Sequence, residues 1–226
     1  MTETNELDGL PGLGSVDGKR IVVVGCGEGR VVRLVSAAGA QAVGVESNKQ
    51  RLASARAEPP AADETYIEGE GQDLPFDDAS AGVILYFGTL HHVADDGQAL
   101  AVAEAARVLE PGGLAYITEP LAQGPYFDLL QPVDDETEVR ARAYKAIKEA
   151  AAVGLTEERE VLYARVMRFA DFEAFRALVL TIGPDRAQHF ATIEDEMRRR
   201  FDHHGREEDG GRAFDQPFRA NLLRKN

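Results

Sequence analysis

Hydrophobic positions in the first half of this chain come in short unbroken runs, and between them they fall at helical spacing. The run Ile21-Val22-Val23-Val24 is apolar and β-branched, and glycines stand at alternate positions after it: Gly25, Gly27 and Gly29. Residues 31–38 then carry Val31, Val32, Leu34 and Val35 on one helical face, closed by Gly39. This predicts a buried strand over residues 20–24, a tight turn and a helix. The unit repeats as a strand over 42–46 and a helix from Ser47, a good N-cap, to about residue 57. Pro59-Pro60 break the chain before a strand over 65–68. A strand over 82–87, a helix from Asp95 to Leu109 and a strand over 114–119 follow, with Pro111-Gly112-Gly113 stopping the helix. Strands alternating with helices predict an α/β fold: a Rossmann-like, doubly wound, mostly parallel sheet.

After Pro120 the pattern changes. Val139, Ala143, Ile147 and Ala150 mark an amphipathic helix, and residues 160–167 a strand. Phe172, Phe175, Val179 and Ile182 mark a second helical stripe, and Phe190, Ile193, Met197 and Phe201 a third, ended by Gly205. Residues 212–224 alternate as a final strand that contains Pro217. These helices are too few and too interrupted for a second domain, and they read as a helical cap over the mouth of the sheet. The expected organisation is a flexible arm over residues 1–18 and one domain over 19–226. Within that domain, 19–119 form the ligand-binding core, 120–211 include the cap and 212–224 form the last strand.

Composition narrows the partners. Lysine plus arginine total 25 against 39 aspartate plus glutamate, a net charge of −14. Such a surface repels phosphate backbones, so nucleic-acid substrates are disfavoured. No apolar run is long enough to span a bilayer, and the polar, acidic residues 1–8 do not resemble a signal peptide. A single cysteine, Cys26, rules out an internal disulfide and fits a reducing compartment, so a cytoplasmic location is expected. Oligomeric state is open.

In a parallel α/β sheet, ligands sit beyond the carboxyl ends of the strands. Three segments lie there on this reading. The glycine turn lets a ligand approach the backbone. Glu46, an acid ending an apolar strand, can accept hydrogen bonds from a ribose diol. The segment Glu68-Gly69-Glu70-Gly71-Gln72-Asp73 offers carboxylates and backbone N–H groups to a purine edge. Together they describe a nucleoside cofactor. The glycines alternate, where a dinucleotide fingerprint needs its third glycine three residues after the second. Glu28 would repel phosphate, and Arg30 is the one cation beside the turn. A cofactor without phosphates fits better.

The chain resembles class I S-adenosylmethionine-dependent methyltransferases of the small-molecule type, over about residues 20–119. Val24-Gly25-Cys26-Gly27-Glu28-Gly29, Val45-Glu46 and Asp73-Leu74-Pro75-Phe76 carry the resemblance, with Leu90-His91-His92-Val93 and Arg107-Val108-Leu109-Glu110-Pro111-Gly112-Gly113. It implies a seven-stranded sheet with an antiparallel last strand, in which Pro217 requires a bulge or a late start to regular pairing. It implies S-adenosyl-L-methionine as cofactor, with S-adenosyl-L-homocysteine as product. It also implies cofactor contacts from Gly25, Cys26, Gly27, Glu46, Ser47, Glu70, Gly71, Tyr86 and Phe87. Two positions depart from the family pattern: Val23 stands where an acid is usual, and Ala81-Gly82 where Phe-Asp is frequent.

The activity implied is methyl transfer to a small organic acceptor. His91, just after the fourth strand, is the candidate base, and His92, Tyr126 and Phe127 are candidates for the acceptor pocket. Adjacent histidines cannot readily chelate one ion, so no metal is expected. His203-His204 at a helix end offset the helix dipole, and Arg198-Arg199-Arg200 read as a solvated face. Cys26 fits a small gap between strand and helix. Three alternatives stand beside methyl transfer: a cofactor-binding protein without turnover, another adenosyl-sulfonium enzyme on the same scaffold, and a nucleotide-dependent oxidoreductase.

Overall fold

The computed structural model describes residues 10–94, 97–181 and 184–226, without the side chains of 184 and 185. The expected helix start at Asp95, the stripe residue Ile182 and the first half of the N-terminal arm lie outside the described residues. The elements run β1 Arg20–Val24, α1 Arg30–Ala37, β2 Gln41–Glu46, α2 Lys49–Ala57, β3 Thr65–Glu68 and β4 Ala81–Phe87. A 3₁₀ turn Leu90–His92, α3 Gly97–Val108, β5 Leu109–Pro120, α4 Pro125–Leu130 and α5 Thr137–Lys148 follow. The chain ends with β6 Leu155–Phe169, α6 Phe172–Leu180, α7 Pro184–Thr192, α8 Glu194–His204, β7 Arg206–Glu208 and β8 Gly211–Lys225. The sheet order is β3-β2-β1-β4-β5-β8-β6, with short β7 added beside β8, and the last strands run antiparallel to the rest. Among the described residues no helix is long and apolar enough to cross a membrane.

Parallel registers fix the binding end of the sheet. Val23 lies opposite Gly44 on β2 and Leu85 on β4. Glu46 lies opposite Glu68, and Phe87 opposite Thr118. The parallel strands therefore end level with one another, and the residues that follow them emerge together.

The chain separates into two compact units. Among the described residues, the first comprises those of 10–119, 141–162 and 219–226, and the second those of 120–140 and 163–218. The core of the first joins Val22 and Ile84 of the sheet to Ala101 and Ala105 of α3 and to Ala143 and Ile147 of α5. The stripe read as part of a cap thus closes this core instead. The spacing shows that Ala143 and Ile147 are buried, but not what buries them. Residues 10–18 also differ from the expected loose arm. Leu10, Leu13 and Val16 are buried, and Tyr116 Oη donates to Pro11 O at 3.1 Å. The N-cap of α2 is Asn48, not Ser47: its side chain accepts from Gln50 N and Arg51 N, both at 3.0 Å.

The second unit is built on phenylalanine. Phe172 and Phe175 of α6, Phe190 of α7, Phe201 of α8 and Phe214 of β8 share one cluster. Phe201 and Phe214 stand 5.1 Å apart between ring centroids, and Phe172 and Phe201 meet edge-on at 5.6 Å. Burial of such rings is a large apolar gain for a small unit. Arg198 lies 4.1 Å from the Phe172 ring centre and pairs with Glu173, so this part of the arginine run covers an aromatic face. A tight turn at Asp209-Gly210, both at positive φ, joins β7 to β8. β8 runs unbroken through Pro217, contrary to the expected late start. The Gln216 side chain supplies a donor beside the imide: its Nε2 donates to Leu121 O at 2.9 Å, while Leu121 N donates to Pro217 O.

Candidate cofactor cleft

The turn after β1 is close-packed on two sides and open on a third. Gly25 and Gly27 have φ of 64° and 56°, a region in which glycine is unstrained. A Cβ on Gly25 would lie 2.8 Å from Thr89 Cβ, whereas one on Gly27 would meet nothing within 4 Å. Gly29 opens α1, and a Cβ there would fall 2.6 Å from Tyr66 Oη. No acidic residue occupies the first turn of α1, so its N–H groups keep their partial positive charge.

Glu46 closes the turn from the neighbouring strand. It is 7% exposed; its Oε2 accepts from Gly27 N and its Oε1 from Asn48 N, each at 2.8 Å. A carboxylate offers about four acceptor positions, so two remain after these bonds. Glu46 also lines a cleft of about 250 Å³ with Gly25, Ser47, Glu70, Gly71, Tyr86 and His92. The Tyr86 hydroxyl is spent on Ala101 O at 3.0 Å, and full burial holds its pKa above the ordinary tyrosine range. Glu70 takes a hydrogen bond from Gln72 Nε2 at 2.5 Å.

Other predicted residues fall elsewhere. Gly27 reaches the cleft only through its bond to Glu46. Cys26 packs against Gly44, and a Cβ on that glycine would lie 2.7 Å from Sγ. Burial, with Glu46 nearby, pushes the thiol pKa up to about 12. Phe87 is not among the lining residues; the Arg30 guanidinium lies 5.3 Å from its ring centre. His91 is the main correction. It is 4% exposed, and its Nδ1 is hydrogen-bonded to the buried Glu119 carboxylate, so the exposed His92 holds the cleft edge instead. Tyr126 and Phe127 belong to the second unit. There Tyr126 stacks on Phe169 at 6.2 Å, with burial pushing its pKa up to about 12, and Phe127 is covered by Arg140 at 5.2 Å.

Sequence reasoning missed Arg51, Thr89 and Val93 as lining residues. Arg51 could have been found as the first-turn residue of a helix that begins beside Glu46. Thr89 carries no comparable signal, because what places it is Gly25, 64 positions away.

These residues fit an adenosine thioether and not a dinucleotide. The cleft presents the carboxylates of Glu46 and Glu70 and one guanidinium, Arg51, a poor setting for a diphosphate. The two remaining acceptor positions on Glu46 match a diol, and Gly25, a lining residue without a side chain, admits a close approach. Val23 is buried within the sheet, so the acid usual in this family has no counterpart at that position.

Sheet order, glycine turn and strand-end acid together define a class I S-adenosylmethionine-binding fold, with S-adenosylmethionine as its cofactor. Residues 22–117 match a family profile described as a methyltransferase domain, and over those residues the chain is similar to the class I S-adenosylmethionine-dependent methyltransferases. It is 33% identical over 103 residues to a probable S-adenosylmethionine-dependent methyltransferase of Mycolicibacterium smegmatis, covering 46% of this chain and 38% of that protein. It is 32% identical over 118 residues to the O-methyltransferase cnsE of Penicillium expansum, covering 50% and 42%. The chain thus spans about two-fifths of the length of these curated relatives. The fold is that of the YcgJ protein of Bacillus subtilis, with a TM-score of 0.63 and 19% identity over 93% of each chain.

Proposed function

We propose that this chain transfers the methyl group of S-adenosylmethionine to a small organic acceptor in the cytoplasm. The observation that carries the reading is Glu46, buried at a strand end, bonded to the glycine turn and still holding two acceptor positions on the cleft. The bound cofactor supplies an electrophilic methyl on a sulfonium. The chain's own residues hold and align. Glu46 takes the ribose hydroxyls, Gly25 admits the ligand to the backbone, and Tyr86 and Val93 exclude water. An imidazole nitrogen of His92 can accept a proton from an acceptor O–H or N–H. The net charge of −14 and the single cysteine support a small, non-nucleic acceptor and a reducing compartment.

One feature favours a second reading, cofactor binding without turnover: the buried His91 ring is committed to Glu119. Calorimetry with S-adenosylmethionine, S-adenosylhomocysteine and NAD, followed by detection of S-adenosylhomocysteine formed across hydroxyl, amine and carboxylate acceptors, tests both. Binding of the first two with turnover is the expected result. Binding without turnover would favour the second reading, and binding of NAD alone would overturn both.

A further inference from the structure

Glu119 ends the β5 core and is 3% exposed. The β4–β5 register places it: Phe87 lies opposite Thr118, and Gly88 N donates to Thr118 O at 2.7 Å. The next residue on β5 therefore reaches the loop after β4. There its Oε1 accepts from Thr89 N at 3.0 Å and Leu90 N at 2.9 Å, while Oε2 meets His91 Nδ1. One buried carboxylate gathers three successive residues.

That arrangement replaces a missing local cap. The 3₁₀ turn Leu90–His92 starts at Thr89, whose own side chain caps nothing. Its hydroxyl donates instead to Val24 O at 3.1 Å, which sets the threonine against Gly25. Thr89, His92 and Val93 then form one wall of the cleft. The path from Glu119 to the cofactor wall is two bonds long: carboxylate to Thr89 N, then Thr89 Oγ1 to Val24 O.

We infer that Glu119 is a positioning residue for the cofactor cleft, acting through Thr89 and His92 and not by touching the ligand. The inference rests on the cofactor reading above and adds a residue that reading does not use. Glu119→Gln keeps one acceptor oxygen and turns the other into a donor facing His91. S-adenosylhomocysteine affinity of the full chain, measured by calorimetry, should fall about tenfold or more. The ¹⁵N signals of His91 should report a change of ring tautomer, and the Gly25 amide resonance of the ligand-free protein should move. Glu64→Gln is the control: that carboxylate accepts from Ala61 N and Ala62 N at 2.7 and 2.8 Å, away from the cleft residues. It should lower the Tm and leave the affinity and Gly25 unchanged.

Affinity within twofold of the parent in Glu119→Gln, with a Tm loss like that of Glu64→Gln, would reduce Glu119 to a structural role and overturn the inference. If Glu119→Gln does not fold, Thr89→Val carries the same test. It leaves the carboxylate's backbone donors in place and deletes the hydroxyl on Val24 O; unchanged affinity there overturns the inference. If the parent chain binds no S-adenosylhomocysteine, the proposed function fails. The Gly25 resonance in the free protein then still decides the positioning role: a shift supports it, and no shift overturns it.

Discussion

Both oxygens of Glu46 are engaged by backbone amides before any ligand arrives, so this side chain organises the turn in addition to the sugar-binding role proposed for it. Glu46→Ala should therefore act twice. Removing the acceptor leaves Gly27 N–H and Asn48 N–H without their partner, a loss of about 1–3 kcal/mol in unfolding free energy. Urea denaturation should show that loss, and calorimetry a fall in S-adenosylhomocysteine affinity of at least tenfold; stability loss without affinity loss would place the diol elsewhere. Cys26 makes a prediction of opposite kind. Burial first, and Glu46 second, raise its pKa from 9.0 to about 12. At pH 8 the native thiol is almost entirely protonated, so a thiolate-directed alkylating reagent should label it only after denaturation. The group is neutral in both states below pH 9. The unfolded thiol ionises first as pH rises, so its contribution falls between pH 9.0 and about 12. Glu46 was legible in the sequence because an acid ending an apolar run has few other uses. His91 was not: its partner Glu119 stands 28 positions away, and no local pattern distinguishes a buried ring from one at the rim.

Elements were read well where one period ran without interruption. Strands β1, β2 and β4 are mainly apolar segments, and their parallel registers accord with burial on both faces. Boundaries failed where two residues could serve equally. Ser47 and Asn48 are both good caps; the helix takes Asn48, and Ser47 is left to line the cleft. The stripe of α5 showed burial but not its destination in the first core. Pro217 was legible as a threat to pairing, and its remedy was not, because Gln216 reaches Leu121 O 95 positions earlier. Gln216 is 3% exposed. Gln216→Leu should leave that carbonyl without its side-chain donor and lower unfolding free energy by about 1–3 kcal/mol, read as a drop in urea midpoint at constant slope. An unchanged midpoint would mean that the strand tolerates the proline unaided.

At the scale of the whole chain, the first-half pattern reached the sheet because each strand-helix pair repeats the last. The second unit was beyond that logic, since stripes such as Phe172-Phe175-Val179 state that a face is buried without naming its partner. Charge, by contrast, is fully legible and has a consequence for the folded protein. The acidic excess, 39 against 25, cannot be neutralised internally, so uncompensated carboxylates repel one another across the surface. Ion pairs such as Arg206–Asp215 at 2.6 Å and Arg224–Glu158 at 2.8 Å are substantially exposed, and such pairs contribute little each. Repulsion acts over longer distances than those pairs and is screened once the Debye length falls, from about 10 Å at 0.1 M salt to about 3 Å at 1 M. Added sodium chloride should therefore raise the Tm steadily over that range, because the repulsion it removes outweighs the pairs it weakens. Thermal scans across the salt series check this directly. A Tm that falls with salt would show that the exposed pairs dominate and that the net charge is harmless to the fold.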